Sequence, residues 1–362
     1  DCRKGAPMGG TMCPSYMATK EEKHSTRARA NILREYLLRS DKKNPFDHKE
    51  IYEVMDTCLS CKGCKSECPS NLDMAKLKTE FLHHYYKSHI IPLRTRAIAF
   101  ITLLNRIGSL FPRIFNFLVS QRLISRIIKK SIGFAEKRRI PLLHRTTMRK
   151  WIRRNLIGLN SGLPGDSPCL YLFVDEFTDF NDTEIGIKTV LLLNRLGYKV
   201  LTIHHSESGR TFISKGLLKT ARKKAVRNIQ IFSDLINEEV PLIGIEPSAI
   251  LSFRDEYPDL VRGDLKEKAI HLAGHVFTID EFLAGEIDNQ RIRQDSFTKR
   301  ELKIRLHGHC QQKAIASTES LKKVLSFPEN YSIDEIPSGC CGMAGSFGYE
   351  KEHYELSMKV GE

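Results

Sequence analysis

The sequence predicts an α plus α/β protein, with an α-helical, cysteine-rich domain followed by two α/β halves built on parallel sheets. Three observations carry that expectation. Residues 58–69 read CLSCKGCKSECP, four thiols within eleven residues, with helical periodicity on both sides. After Pro168 the rhythm changes to short apolar runs alternating with amphipathic stretches, the pattern of a parallel sheet with crossover helices. Between these regions, residues 91–160 hold sixteen Lys or Arg and one acidic residue, Glu136.

Residues 1–90 are expected to form the helical domain. "HSTRARANILREYLL" opens with hydroxyl cap candidates Ser25 and Thr26, and Ile32, Leu33, Tyr36 and Leu37 then repeat at helical spacing. After Cys68, residues Met74, Leu77, Phe81 and Tyr85 share one helix face, with Asn71 as the cap candidate and Asp73 suited to the first turn. Residues 91–163 read as basic amphipathic helices broken at Gly108, Pro112, Gly133 and Pro141, ending in a linker by composition, "GLNSGLPGDSP" (158–168). The first α/β half, residues 164–265, offers strands in "CLYLFVD", "YKVLTI" and "PLIGIE". Its helices are expected over 182–196, closed by Gly197, and over 214–239. The second half, residues 266–362, is weaker: strand "LKIRLHG", a helix from Gln311, strand "YSIDEIP", then a glycine-rich turn into a last helix.

No run of eighteen apolar residues exists, so no membrane-spanning helix is expected. No signal peptide is visible, and the chain is expected to be cytoplasmic. It begins at Asp1 rather than Met and ends within a helical pattern at Glu362, which reads as an excised piece of a longer protein.

The ten cysteines are spaced for metal rather than for disulfides. C-x2-C-x2-C-x3-C-P is the bacterial ferredoxin run for a [4Fe–4S] cluster. Three thiolates on one tight loop reach three irons, and the fourth cysteine of the run serves a neighbouring cluster. Cys58, Cys61 and Cys64 are therefore expected to hold one cluster, with Cys13 of "MCP" as the fourth ligand. Cys68 would serve a second cluster with Cys2 and ligands preceding residue 1. The alternative is a structural zinc site, which favours two separated C-x2-C pairs. Helices starting after Cys13 and Cys68 are expected to aim their N-termini at these anionic centres.

A second thiol group follows in "HGHCQQKA" and "PSGCCGMAGSFGYEKEH": Cys310 with the vicinal pair Cys340 and Cys341. Neighbouring cysteines point apart unless the backbone is freed, and Gly339 and Gly342 supply that freedom. The expectation is a redox or cluster site, against buried packing cysteines as the alternative. His307, His309 and His353 lie nearby in sequence, with structural roles as the alternative for each. Cys169, inside a strand pattern, is expected to pack in a core. Arg27 or Arg29 is placed near the clusters, or faces solvent from a helix start.

The basic segment admits three readings. One is an anionic membrane surface, another is the part of the protein that this chain lacks, and a solvated helix face is the plain alternative. Nucleic acid gains no support, since no recognisable binding motif accompanies the charge.

"MCPSYMATKEEKHSTRARAN", "CLSCKGCKSECPSNLDMAKLK" and "HGHCQQKA…PSGCCGMAGSFGYEKEHYELS" resemble the iron–sulfur half of FAD-linked dehydrogenases acting on D-2-hydroxy acids, of the D-lactate, glycolate and D-2-hydroxyglutarate types. More distantly the chain is similar to the electron-transfer subunit of anaerobic glycerol-3-phosphate dehydrogenase and to heterodisulfide reductase subunits. The resemblance implies a ferredoxin-like domain followed by two cysteine-rich CCG-type halves. It implies FAD on a preceding segment or a separate flavoprotein, and an acceptor such as a quinone, reached peripherally on the inner membrane face. The chain departs from the pattern in its first half. "HSESGRTFISKG" has Glu207 and Ser208 where Cys-Cys is expected, and Ala249 stands where relatives often have Cys. That half would be a scaffold, or would use Glu207 and Arg210 in a polar site. His309 is an accessory candidate beside the second thiol group.

Overall fold

The computed structural model describes Arg3 and residues 10–362. It is helix-rich with small parallel sheets, in keeping with the α plus α/β class.

Helices Pro14–Thr19, Thr26–Arg39, Lys49–Asp56, Gly63–Glu67 and Met74–Tyr85 build the N-terminal region. The faces picked out by helical spacing are the buried ones: Leu33 and Phe81 meet Ile51, Met55 and Met74, and Ile32, Tyr36, Leu37, Leu77 and Tyr85 pack against them. Ser25 caps the second helix by accepting from Ala28 N at 3.1 Å. Asp73, rather than Asn71, caps the helix from Met74, accepting from Lys76 N at 3.0 Å. Asn71 instead takes a left-handed turn, φ 48°, one that asparagine tolerates.

The basic segment folds as helices Leu93–Ala99, Ile101–Gly108, Pro112–Ser120, Arg122–Ile132 and Met148–Ser161. Breaks fall at Gly108, at Pro112 and at Gly133, whose φ is 71°. The last helix runs into the stretch expected as a linker. Leu156 is buried and Leu159 packs against the same core, which outweighs the roughly 1 kcal/mol that Gly158 costs a helix. The middle helices leave apolar side chains outside: Leu110, Phe111, Leu123 and Ile127 are each 67–73% exposed.

Strands β1 (Cys169–Phe173), β2 (Lys199–Leu201), β3 (Leu242–Gly244) and β4 (Val276–Thr278) form one parallel sheet in the order β2-β1-β3-β4. Side chains alternate across it. Leu170, Leu172, Val200 and Ile243 face Met148, Ile152 and Leu193, while Phe173, Leu242 and Val276 face Ile229, Phe232 and Phe253. β4 extends this sheet past the expected division at 265. A separate parallel pair follows, β5 (Leu302–Leu306) with β6 (Tyr331–Glu335), in register from Leu302↔Tyr331 to Leu306↔Glu335. Cys169 is not in the core expected for it; it is half-buried at the start of β1, 3.6 Å from Ser167 O.

The helix expected over 214–239 is shorter, Leu218–Phe232, and a separate short helix, Arg210–Ser214, precedes it. They part at Gly216, φ 72°, where a Cβ would lie 2.5 Å from Leu82 Cβ. The N-terminal region therefore packs directly on the α/β region there.

A buried ion-pair network joins the same two regions. Lys62, in the cysteine loop and 1% exposed along its side chain, reaches both Asp255 and Glu256. Lys65 and Lys76 also pair with Asp255, the latter at 2.9 Å, and Arg210 pairs with Glu256. Burial disfavours the Asp255 carboxylate, but Lys62 and its neighbours more than offset this and hold its pKa well below the usual range. Removing one partner of a buried pair leaves an uncompensated charge. Lys62→Met is expected to cost about 3 kcal/mol in chemical denaturation, at the low end for such a loss because Asp255 and Glu256 keep other partners. Lys65→Met, on a part-exposed side chain, is expected to cost less than about 1 kcal/mol. Equal stabilities for the two variants would contradict this.

Candidate metal centre

Four thiols meet beneath the N-terminal helices. Cys13, Cys58, Cys61 and Cys64 are 5–9% exposed. The loop that carries the last three turns sharply. Ser60 and Lys62 adopt φ of 53° and 63°, and Cys13 a φ of 57°, conformations that cost about 1–2 kcal/mol each outside glycine. Gly63 lets the loop close on the preceding segment: a Cβ there would lie 2.9 Å from Met12 N and from Thr11 C. That contact brings Cys13 beside the CKGC turn.

The sulfurs receive backbone donors. Thr26 N–H points at Cys13 Sγ, 3.0 Å away, and the Thr26 hydroxyl is 2.8 Å from the same sulfur. Met74 N–H donates to Cys64 Sγ at 3.3 Å. These amides open helices Thr26–Arg39 and Met74–Tyr85, so helix N-termini do face the thiols. The donor expected from the helix after Cys13 comes instead from the next one. Lys78 Nζ lies under the loop, donating to Cys58 O at 2.7 Å.

Burial raises the pKa of Cys13, pushes Cys64 up to about 12, and raises Cys61 well above the ordinary thiol; each is raised further by neighbouring cysteines. Four buried thiols, with Cys13, Cys61 and Cys64 costly to ionise alone and N–H donors aimed at two of the four, suit a guest that takes thiolates and returns positive charge. Among the described residues, no three Cys, His, Asp or Glu side chains close to the spacing of a single ion. The donor set fits an iron–sulfur cluster.

Cys68 stands apart, half-buried at the end of helix Gly63–Glu67, with its N–H on Cys64 O at 3.1 Å. Its expected companion Cys2 lies outside the described residues.

The second thiol group is assembled from two segments. Cys310 opens helix Cys310–Ile315. Cys340 is buried and Cys341 exposed. The vicinal pair is followed by Gly342 at φ 76°, where a Cβ would strike Ser357 O at 2.1 Å. Cys340 keeps its proton, its pKa raised by hydrogen bonding to Cys310 and Cys341. That proton lowers Cys310 and holds Cys341 down to about 5, with the Met343 and Ala344 amides and His307 adding to the effect on Cys341.

Arg210 and His309 belong to this group. Arg210 favours the Cys310 thiolate. His309 Nε2 lies 3.7 Å from Glu246 Oε1, and burial lowers its pKa to about 4. Glu207 does not belong to it: its carboxylate pairs with Lys224 at 2.8 Å and accepts from Thr102. Ser208, the other residue at the expected Cys-Cys position, donates to Glu176 at 2.6 Å. His353 is structural, held by Asp56 at 2.8 Å and stacked on Phe347. Arg29 is buried and ties Ser15 to Thr57, whereas Arg27 is exposed and pairs with Glu22.

The two thiol groups are neighbours, which the sequence did not indicate. Cys310 is the leading electrostatic influence on Cys61 after burial, and Cys61 acts in turn on Cys340. Leu59 from the cysteine loop shares an apolar cluster with Cys340 and Phe347. Lys62 and Glu246 were also missed. A lysine between two ligand positions was a visible signal for the first; nothing marked the second.

A 4Fe-4S dicluster domain matches residues 1–73. The chain thus carries an iron–sulfur domain. Its relatives include D-2-hydroxyglutarate dehydrogenase of Haemophilus influenzae, 24% identical over 96% of this chain and 37% of that protein. One subunit of the anaerobic glycerol-3-phosphate dehydrogenase of Escherichia coli K12 is 22% identical over 74% of this chain and 66% of that one. Lactate utilization protein A of Bacillus subtilis is 29% identical over 52% of this chain and 77% of that one. The chain thus spans little more than a third of the length of the D-2-hydroxyglutarate dehydrogenases. No solved structure matches it.

Bound to a cluster, Cys13 would carry no proton, and the Thr26 hydroxyl would be the donor in their contact. Thr26→Val is expected to remove one hydrogen bond, worth about 1 kcal/mol; because that bond strengthens as the sulfur gains negative charge, the cluster potential is expected to become more negative, by at most roughly 40 mV for a one-electron couple. Redox titration of the reconstituted protein checks this; an unchanged or raised potential would contradict it.

Proposed function

We propose that this chain is the electron-transfer portion of a flavin-dependent dehydrogenase that oxidises a D-2-hydroxy acid. Cys13, Cys58, Cys61 and Cys64 would hold one [4Fe–4S] cluster. Cys68, with Cys2, would contribute to a second, and Cys310, Cys340 and Cys341 would form a further redox or cluster site, with Arg210 and His309 beside it. Oxidation of a 2-hydroxy acid to a 2-oxo acid releases two electrons and two protons, and bound clusters would supply one-electron storage between donor and acceptor. The observation that carries the reading is the adjacency of Cys61 and Cys310. Two sulfur sites side by side form a relay, where two distant ones would not.

The chain's own residues prepare that relay. Burial excludes water from Cys13 to Cys64, and the Thr26 and Met74 amides favour sulfur carrying negative charge. Cys341 is exposed, a place where electrons enter or leave. The similarity to D-2-hydroxyglutarate dehydrogenases runs over 96% of the chain against 74% for the glycerol-3-phosphate dehydrogenase subunit. That favours a flavin domain in the same polypeptide over a separate flavoprotein.

The acceptor in this reading is a membrane quinone, met at the inner membrane face. Support comes from the helices of residues 101–132, where exposed Leu110, Phe111, Phe117, Leu123 and Ile127 stand among Arg113, Arg122 and Lys130. Exposed apolar residues among cations are the marks of an interfacial helix on an anionic bilayer. No helix among the described residues is long and apolar enough to cross a membrane.

Two experiments test these parts separately. In the full-length enzyme, Cys341→Ser is expected to keep D-2-hydroxy acid oxidation with a dye that accepts from flavin, and to lose at least tenfold in quinone reduction. Equal loss in both assays would overturn the relay. The full-length protein is expected to sediment with phosphatidylglycerol vesicles and not with phosphatidylcholine vesicles. Arg113→Glu with Arg122→Glu is expected to weaken this at least tenfold, at about 1 kcal/mol per basic residue. No sedimentation, or none of that weakening, would overturn the membrane reading.

A further inference from the structure

A second concave site lies on the same sheet, away from the thiols. A cleft of about 660 Å³ opens over the carboxyl ends of β1 and β2, a volume within the usual range for small-molecule sites. Val174 to Glu176 after β1 and Thr202 to Glu207 after β2 form its floor. Helices Ile101–Gly108, Met148–Ser161 and Leu218–Phe232 contribute its walls through Arg106, Arg153 and Arg227. In the order β2-β1-β3-β4 the chain steps from β1 to one side and then back past it to the other. That reversal falls between β1 and β3, so the cleft lies one strand to its side, at the carboxyl ends of the strands, the edge where open α/β sheets take their ligands.

The charges in this cleft are not balanced. Every carboxylate on its lining is engaged. Asp175 accepts from Phe177 N, Thr178 N and the Thr178 hydroxyl. Glu176 accepts from Ser208 N at 2.9 Å and from its hydroxyl at 2.6 Å. Asp179 pairs with Arg149 at 3.2 Å, and Glu207 with Lys224 at 2.8 Å. Three cations remain. The side chains of Arg106, Arg153 and Arg227 make no ion pair or hydrogen bond among the described residues, although all three line one cavity. The carboxylates offer these three little counter-charge: Arg106 shares Asp179 with Arg149, and burial raises the pKa of Asp175 to about 6 and of Glu176 to about 7. An oxyanion would offset the positive charge that remains.

We infer that this cleft binds a small, multiply charged oxyanion, bearing phosphate or carboxylate groups, through Arg106, Arg153 and Arg227. The guanidinium fork suits both groups, since it meets two oxygens at once. Phe180 is the one carbocyclic aromatic on the lining, so recognition rests on charge rather than on ring stacking. His205 adds no positive charge to the floor. Its Nδ1–H donates to Ser206 O at 2.7 Å and its Nε2 accepts from Val174 N–H at 3.2 Å, which fixes the neutral ring. The same short loop serves both sites: Glu207 faces the cleft, while Arg210 stands with the thiols. In this half, lacking Cys-Cys, the strand ends bind an anion in place of metal.

Calorimetric titration of the full-length, reconstituted protein with pyrophosphate and, separately, with succinate at fixed ionic strength tests this without reference to turnover. Saturable binding of either anion is expected, weakened at least tenfold in Arg153→Gln/Arg227→Gln and unchanged in Arg39→Gln/Arg293→Gln, whose arginines lie outside the cleft. Binding of pyrophosphate alone identifies a phosphate ligand, and of succinate alone a carboxylate ligand. Both residues of the first pair are exposed, so an unaltered melting temperature without ligand confirms that the variant is folded. Failure of both anions to bind saturably would overturn the inference, as would equal affinity in the first double variant and the wild type.

Discussion

The placement of Lys62 governs much of this structure. It stands between Cys61 and Cys64 with a left-handed backbone, and its ammonium is buried against Asp255 and Glu256 of another region. Withdrawing these charges from water is costly, and the pairing recovers that cost only in good geometry. The loop therefore has little freedom to shift. With Lys62 fixed, Cys61 turns toward Cys310, and Leu59 packs on Cys340 and Phe347. Arg210 completes the arrangement by joining Glu256 to the surroundings of Cys310. One ion-pair network thus sets the distance between the two sulfur sites.

The helical faces were legible because burial follows a 3.6-residue period: Leu33, Phe81 and their partners lie where spacing puts them. The strands were legible as short apolar runs, and the alternation of Leu170 and Leu172 against Tyr171 and Phe173 places them on opposite faces of β1. Boundaries were less so. Gly216 ends a helix because Leu82 approaches it from a region far away in sequence, and no local pattern carries that. The helix through Gly158 persists because Leu156 and Leu159 pack on the sheet, a tertiary gain that composition does not reveal.

The candidate site divides in the same way. C-x2-C-x2-C-x3-C-P announces its chemistry through spacing, since three thiols on one turn must converge. The direction of Glu207 was hidden, because it depends on Lys224 and Thr102 from two other helices. The adjacency of Cys61 and Cys310 was hidden for a similar reason: it depends on charges at Asp255 and Glu256, far from both in sequence. In the first α/β half, Glu176 and Ser208 close a polar network at the position where the resemblance places Cys-Cys.

The most direct test of the central claim is to count iron, zinc and acid-labile sulfide in the anaerobically reconstituted chain, and to record its electron paramagnetic resonance spectrum before and after reduction. The account predicts iron and sulfide in equal amounts and a signal that appears on reduction, with both much reduced by Cys61→Ala. Stoichiometric zinc without sulfide would contradict it.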